Sequence, residues 1–145
     1  MIQSFDQLLE HAAGLPPARV AVVSPSNSET FQAIRDAQRA LRVSFLLTGD
    51  AAAIEAGLDR AGVDAGRIEI RNFQDIKSAL KGAIDAVRDG DAGILMKGGV
   101  DTSTMMKAVL DENSGLRTGR LLSDIFVLEY PPREGNRFIM ITDGG

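Results

Sequence analysis

Short apolar, β-branched runs alternate with helical patterns along most of this chain, and that alternation restricts the possible folds more than any other feature. Arg19 to Val23, Val43 to Leu47, Arg67 to Arg71 and Ile94 to Met96 read as strands. They recur at intervals of about 25 residues, as successive βαβ units require. Between them lie stretches whose apolar residues fall on one helical face: Phe31, Ile34, Ala37 and Leu41, then Ile76, Leu80, Ile84 and Val87. Continuous apolar strands separated by helices imply a parallel sheet covered on both faces.

Local signals set the ends of the elements. Ser4-x-x-Gln7 has capping-box form, with Phe5, Leu8, Leu9 and Ala12 following at helical spacing and Gly14, Pro16 and Pro17 ending that helix. Ser26-x-x-Glu29 repeats the capping pattern. Asp50 is expected to cap a helix running to about Ala61, Asn72 the next, and Asp101 the one from Thr102 to about Glu112. After Gly119 the alternation stops. Leu122 to Tyr130 and Phe138 to Thr142 read as two strands joined by the turn-forming stretch Pro131 to Asn136. The expectation is an α/β domain over 1–115 and the start of a second domain over 116–145.

Composition narrows the function. A net charge of −4 argues against a general nucleic-acid binder, which carries a basic face. The absence of cysteine removes disulfides, thiolate metal sites and a cysteine nucleophile. No histidine–carboxylate cluster has metal-ligand spacing, and the single histidine, His11, sits on the first helix among apolar neighbours. The opening MIQSFDQLLEH lacks the basic and apolar regions of a signal peptide, and no apolar run approaches the roughly 20 residues that span a bilayer. The expected location is the cytoplasm, without membrane contact.

The stretch from Ile94 to Asp124 carries the chemistry. A strand ends in Lys97-Gly98-Gly99, and Thr102, Ser103 and Thr104 open a helix whose N-terminus offers N–H groups and a positive dipole end. Arg117 and Arg120 follow in Gly115-Leu116-Arg117-Thr118-Gly119-Arg120, and arginine is well shaped to grip phosphate at two points. Ser24 ends the first strand at the rim where open α/β sheets place their ligands. No GxGxxG follows that strand and no Walker A lysine motif is present.

MKG-x-V-x-T at the strand-to-helix turn, then GLRTGRLLS, then a strand pair ending in Thr142-Asp143-Gly144-Gly145, resembles the phosphate acetyl/butyryltransferase family, its butyryl branch above all. The resemblance is sharp from about Ala92 onward. It implies transfer of a short acyl group, acetyl or butyryl, between coenzyme A and inorganic phosphate, with acyl-CoA as substrate and no tightly bound cofactor. It further implies a two-domain fold like that of isocitrate dehydrogenase, assembled as dimers or larger homo-oligomers, of which this chain would be an inactive first half. It places Arg117, Arg120, Thr142 and Asp143 beside the substrate cleft; Lys97, Thr102, Ser103 and Ser24 join them as expected phosphate or substrate contacts on the turn and rim chemistry alone. It identifies no catalytic base: Asp124 stands where relatives often carry histidine, and Asp101 replaces a small polar residue. A different class remains open on the same residues, a non-catalytic α/β module for a phosphorylated metabolite or nucleotide.

Overall fold

The structure is a computed structural model and describes residues 2–113, 116–120, 122–130 and 137–142. Contacts divide it into two units, one of residues 16–118 and the other of residues 1–15 with 119–145.

The larger unit is built on four parallel strands, β1 (Ala18–Val23), β2 (Val43–Gly49), β3 (Ile68–Asn72) and β4 (Ile94–Lys97), in the order β3-β2-β1-β4. Val20 lies beside both Phe45 and Ile94, and the register runs on unbroken to Val23, Thr48 and Lys97. The central strands are buried on both faces, as their continuous apolar runs require. Val20, Val22, Phe45 and Leu47 face one way, toward α2 (Ser28–Ala40) and α3 (Ala51–Ala61). Ala21, Val23 and Leu46 face the other way, toward α4 (Ile76–Arg88) and α5 (Thr102–Leu110). Helices thus cover both faces of a parallel sheet, the expected class.

The helix starts are less regular than the capping signals suggest. Asn27, not Ser26, caps α2, its side chain accepting from the Thr30 amide at 2.9 Å. Asp75, not Asn72, caps α4, accepting from the Ser78 amide at 2.8 Å. Asn72 stays in β3 and accepts instead from the Ala51 amide at 3.1 Å, which satisfies a first-turn donor of the neighbouring helix. The caps at Ser4, Asp50 and Asp101 stand as expected.

The smaller unit holds α1 (Phe5–Ala13) and an antiparallel pair, β5 (Ile125–Tyr130) with β6 (Arg137–Thr142). Phe5 packs its ring on Phe138 with centroids 5.1 Å apart, and its amide donates to Glu129 Oε2 at 2.8 Å. Val127, Glu129 and Phe138 are half-buried, but Ile125 and Met140 on the same face are exposed, as are Phe126, Leu128, Ile139 and Ile141 on the alternate positions. The connection expected as a turn over Pro131 to Asn136 lies outside the described residues.

Gly57, buried within α3, lies directly against Phe31 of α2, itself 3% exposed, and a Cβ there would fall inside the ring's contact distance. Helix propensity alone would reward Gly57→Ala by about 1 kcal/mol. Overpacking a closed core costs about 1–3 kcal/mol. The expected result is a lower urea midpoint for Gly57→Ala; a raised midpoint would mean that the Phe31 ring yields freely.

Candidate functional site

In the larger unit every strand delivers its following loop to one rim, where α2, α3, α4 and α5 begin. Ser24 leaves β1 with φ of 45°, a left-handed backbone that a non-glycine residue before proline seldom adopts. Its amide donates to Thr48 O at 2.7 Å and its carbonyl accepts from the Gly99 amide at 2.7 Å. The ends of β1, β2 and β4 are thereby joined through one residue. A strained backbone of this kind costs about 1–3 kcal/mol and persists where its surroundings hold it.

Gly98 and Gly99 permit the closure. A Cβ on Gly98 would meet Val23 O and stand 2.9 Å from the Pro25 Cα and nitrogen, and one on Gly99 would stand 2.7 Å from Ser24 O. The glycines expected to bring backbone close to a ligand therefore bring it close to the neighbouring strand's loop.

Lys97 stands at the end of β4, beside Val23 in register, and its Nζ donates to Val100 O at 3.2 Å. Its ammonium is folded over its own turn. Asp101 caps α5, its Oδ1 accepting from the Thr104 amide at 2.8 Å. Bonds from the Thr104 hydroxyl and amide hold the Asp101 carboxyl below the usual carboxylate range. The amides and hydroxyls of Thr102 and Ser103 are the donors that an anion could take at this turn. Asp101 brings a negative charge to the same place.

Ser24, Lys97, Thr102 and Ser103 thus share one rim. Arg117 is exposed and donates to Glu112 Oε1 at 3.2 Å. Glu112 follows the C-terminal end of α5, roughly 12 Å along the helix axis from Thr102. Arg120 and Thr142 are exposed residues of the smaller unit, and Asp143 lies outside the described residues. Among the described residues no group of three or more histidines, aspartates or glutamates could hold a metal ion. None of the described helices is long and apolar enough to cross a membrane.

Two rim carboxylates, Asp50 and Asp75, have a position that capping signals alone do not reveal. A cap in a βα unit must lie at the carboxyl rim of the sheet, so the strand–helix order contains that information once topology is considered.

Over 144 residues, 99% of its length, the chain is 34% identical to the phosphate butyryltransferase of Clostridium beijerinckii. Nearly the whole chain is thus similar to part of a phosphate butyryltransferase. The phosphate butyryltransferase of Clostridium acetobutylicum is 32% identical over 143 residues, and the phosphate acetyltransferase of Rickettsia prowazekii is 32% identical over 125 residues, 86% of this chain. The chain spans 47% of each Clostridium relative and 35% of the Rickettsia one, so it corresponds to less than half of a family member's length. Its fold is shared with a branched-chain phosphotransacylase from Enterococcus faecalis V583, at a TM-score of 0.70 and 21% identity, covering 87% of this chain and 42% of that one. No family model matches the chain.

The carboxylates of the larger unit also set its response to acid. The Arg19 guanidinium and then Arg71 hold Glu69 below its ordinary value; the Ser78 amide does so for Asp75, and Lys81 for Asp85. With Asp101 these groups bind protons more readily unfolded than folded. Their contribution is present above the unfolded values near 4 and is lost as pH falls through the lower folded values. Melting temperature is expected to fall as pH drops below about 4. Asp75→Asn, which keeps a capping oxygen, should flatten part of that fall; an unchanged slope would remove Asp75 from the set.

Proposed function

We propose that the whole protein to which these residues belong is a phosphate acyltransferase. It moves a short acyl group, acetyl or butyryl, between coenzyme A and inorganic phosphate. The observation that carries this reading is the likeness to the Clostridium beijerinckii phosphate butyryltransferase along 99% of the chain. In one direction the CoA thiolate attacks the carbonyl of an acyl phosphate and inorganic phosphate departs; the reverse step returns acyl phosphate. These 145 residues contain no cysteine, and their one histidine, His11, is an exposed residue of α1. Direct transfer between two bound substrates therefore suits them better than an acyl-enzyme.

In this reading the amides of Thr102 and Ser103 and the ammonium of Lys97 hold phosphate, and Ser24 fixes the loop beside them. Lys97 bonds Val100 O through one of its three donors and keeps the others for the anion. Arg117, Arg120, Thr142 and Asp143 serve the substrate cleft, and residues 116–145 begin the second domain. CoA is a substrate and no cofactor is held permanently. The working protein is a homo-oligomer of dimer size or larger, in the cytoplasm. The reacting atoms must meet within about 3.5 Å, shielded from water. A chain spanning 47% of its relatives' length supplies one side of such a cleft.

Release of CoA from acetyl-CoA and butyryl-CoA in phosphate should be measured on the 145-residue chain and on a protein extended to the relatives' length. Turnover by the longer protein and little by the shorter is expected. No turnover by the longer protein with any short acyl-CoA would overturn the assignment. Phosphate titration followed by amide shifts tests the site separately. Shifts should centre on Lys97, Thr102 and Ser103 and strengthen in Asp101→Asn, which keeps a capping oxygen and removes the opposing charge. Shifts confined to other residues would refute the placement.

A further inference from the structure

The order β3-β2-β1-β4 reverses between β1 and β4, and open α/β sheets take ligands in the crevice at that reversal. Here the crevice is shut by the packing of Gly98 and Gly99 on Ser24 and Pro25. The rim opens instead over the ends of β1, β2 and β3, as a cleft of about 390 Å³. That volume lies in the range of about 300–1,000 Å³ typical of small-molecule sites. Ser24 and Ile54 line it beside Ile76, whose side chain is 51% exposed and so offers apolar surface that the core does not use.

The polar groups of the cleft favour donors over anions. Asp50, an exposed residue lining the cleft, accepts the Ala53 amide on Oδ1 at 3.1 Å, and that bond leaves its second oxygen unused. Asp75, also lining the cleft, receives the Ser78 amide at 2.8 Å and hydroxyl at 2.7 Å. The Ala51 and Ala53 amides of α3 and the Ser78 amide of α4 already hold side-chain oxygens, and two carboxylates repel a phosphate. A ligand that fits has a flat apolar body and vicinal hydroxyl donors. In dinucleotide-binding sheets of this strand order, the acid after the second strand takes the ribose hydroxyls. Asp50 occupies that position, whereas Ser24-Pro25-Ser26 replaces the glycine-rich phosphate loop.

We propose that this cleft binds a nucleoside with an unmodified ribose, its vicinal hydroxyls on Asp50 and its base against Ile76. The cleft borders the β4–α5 turn through Ser24 and Gly99, and binding in it does not depend on acyl transfer. Coenzyme A, whose ribose carries a 3′-phosphate, is not its occupant.

The test is an amide-shift titration of the 145-residue chain with adenosine, 2′-deoxyadenosine and coenzyme A. Adenosine should give saturable shifts in 49–53 and 74–76. Loss of one hydroxyl in 2′-deoxyadenosine should weaken binding about tenfold, the usual scale of a hydrogen bond to a charged group. Asp50→Asn, which retains the cap, should weaken adenosine binding to a similar extent with the rest of the spectrum unchanged. Ala53→Trp, at an exposed position on the cleft wall, should abolish binding without loss of the folded spectrum. The proposal is overturned by any of four results: no saturable adenosine shift, shifts centred elsewhere, equal binding of the deoxy compound and full adenosine affinity in Asp50→Asn, or coenzyme A binding in this cleft.

Discussion

Two backbone hydrogen bonds on Ser24 organise the functional rim. By donating to Thr48 O and accepting from Gly99 N, both at 2.7 Å, one residue fixes the ends of three parallel strands. The left-handed φ of Ser24 is the cost of that geometry, and it is tolerable because both bonds lie inside a sheet whose central strands are buried. Gly98 and Gly99 follow from it, since no side chain fits between β4's loop and the Ser24–Pro25 segment. Closing the crevice between β1 and β4 leaves the open part of the rim over β1, β2 and β3. A choice of backbone conformation at one serine thus determines which part of the rim stays open.

Electrostatics at the same rim run against a simple anion-binding picture. Four helices point their positive ends at it, yet Asn27, Asp50, Asp75 and Asp101 each accept the amide that an anion would otherwise find. Three of these caps are carboxylates, so the dipoles are largely neutralised by the chain's own charge. The β4–α5 turn retains the amides of Thr102 and Ser103 and a lysine at short range. It is the part of the rim best suited to phosphate, and Lys97, which spends one of its three donors on Val100 O, is already held at that turn.

The sheet was legible in the sequence because its central strands have no polar interruption: Val20 to Val23 and Phe45 to Leu47 are apolar at every position, and burial on both faces demands that. Helix starts were legible at Ser4, Asp50 and Asp101 but not at α2 and α4. Ser26 and Asn27 are adjacent and equally competent, and the chain uses Asn27 while Ser26 packs against Gly99. Asn72 has the right chemistry for α4 but lies within β3, where it serves the Ala51 amide of another helix. Such a long-range partner leaves no trace in local pattern. For the candidate site, the glycine–hydroxyl turn could be read from residue types. The direction of Lys97 and the pairing of Arg117 with Glu112 could not, because both depend on side-chain placement over several residues.

The two units differ in how completely they satisfy their own residues. The sheet of the larger unit buries apolar side chains on both faces, and its helix caps are filled, as an independently stable layer structure requires. The β5–β6 pair is a two-stranded ribbon with exposed Phe126, Leu128, Ile139 and Ile141, and ribbons of two strands are marginal in water without further packing. α1 supplies part of that packing through Phe5, on the positions occupied by Phe138 and Glu129. The alternate positions of the same strands remain apolar and exposed, and a period of two in β5 and β6 cannot account for both sets unless each is meant to be covered. The physical demand on this part of the chain is therefore more burial, whereas the larger unit leaves only a few large apolar side chains, Ile76, Ile94 and Leu110 among them, exposed around a filled core.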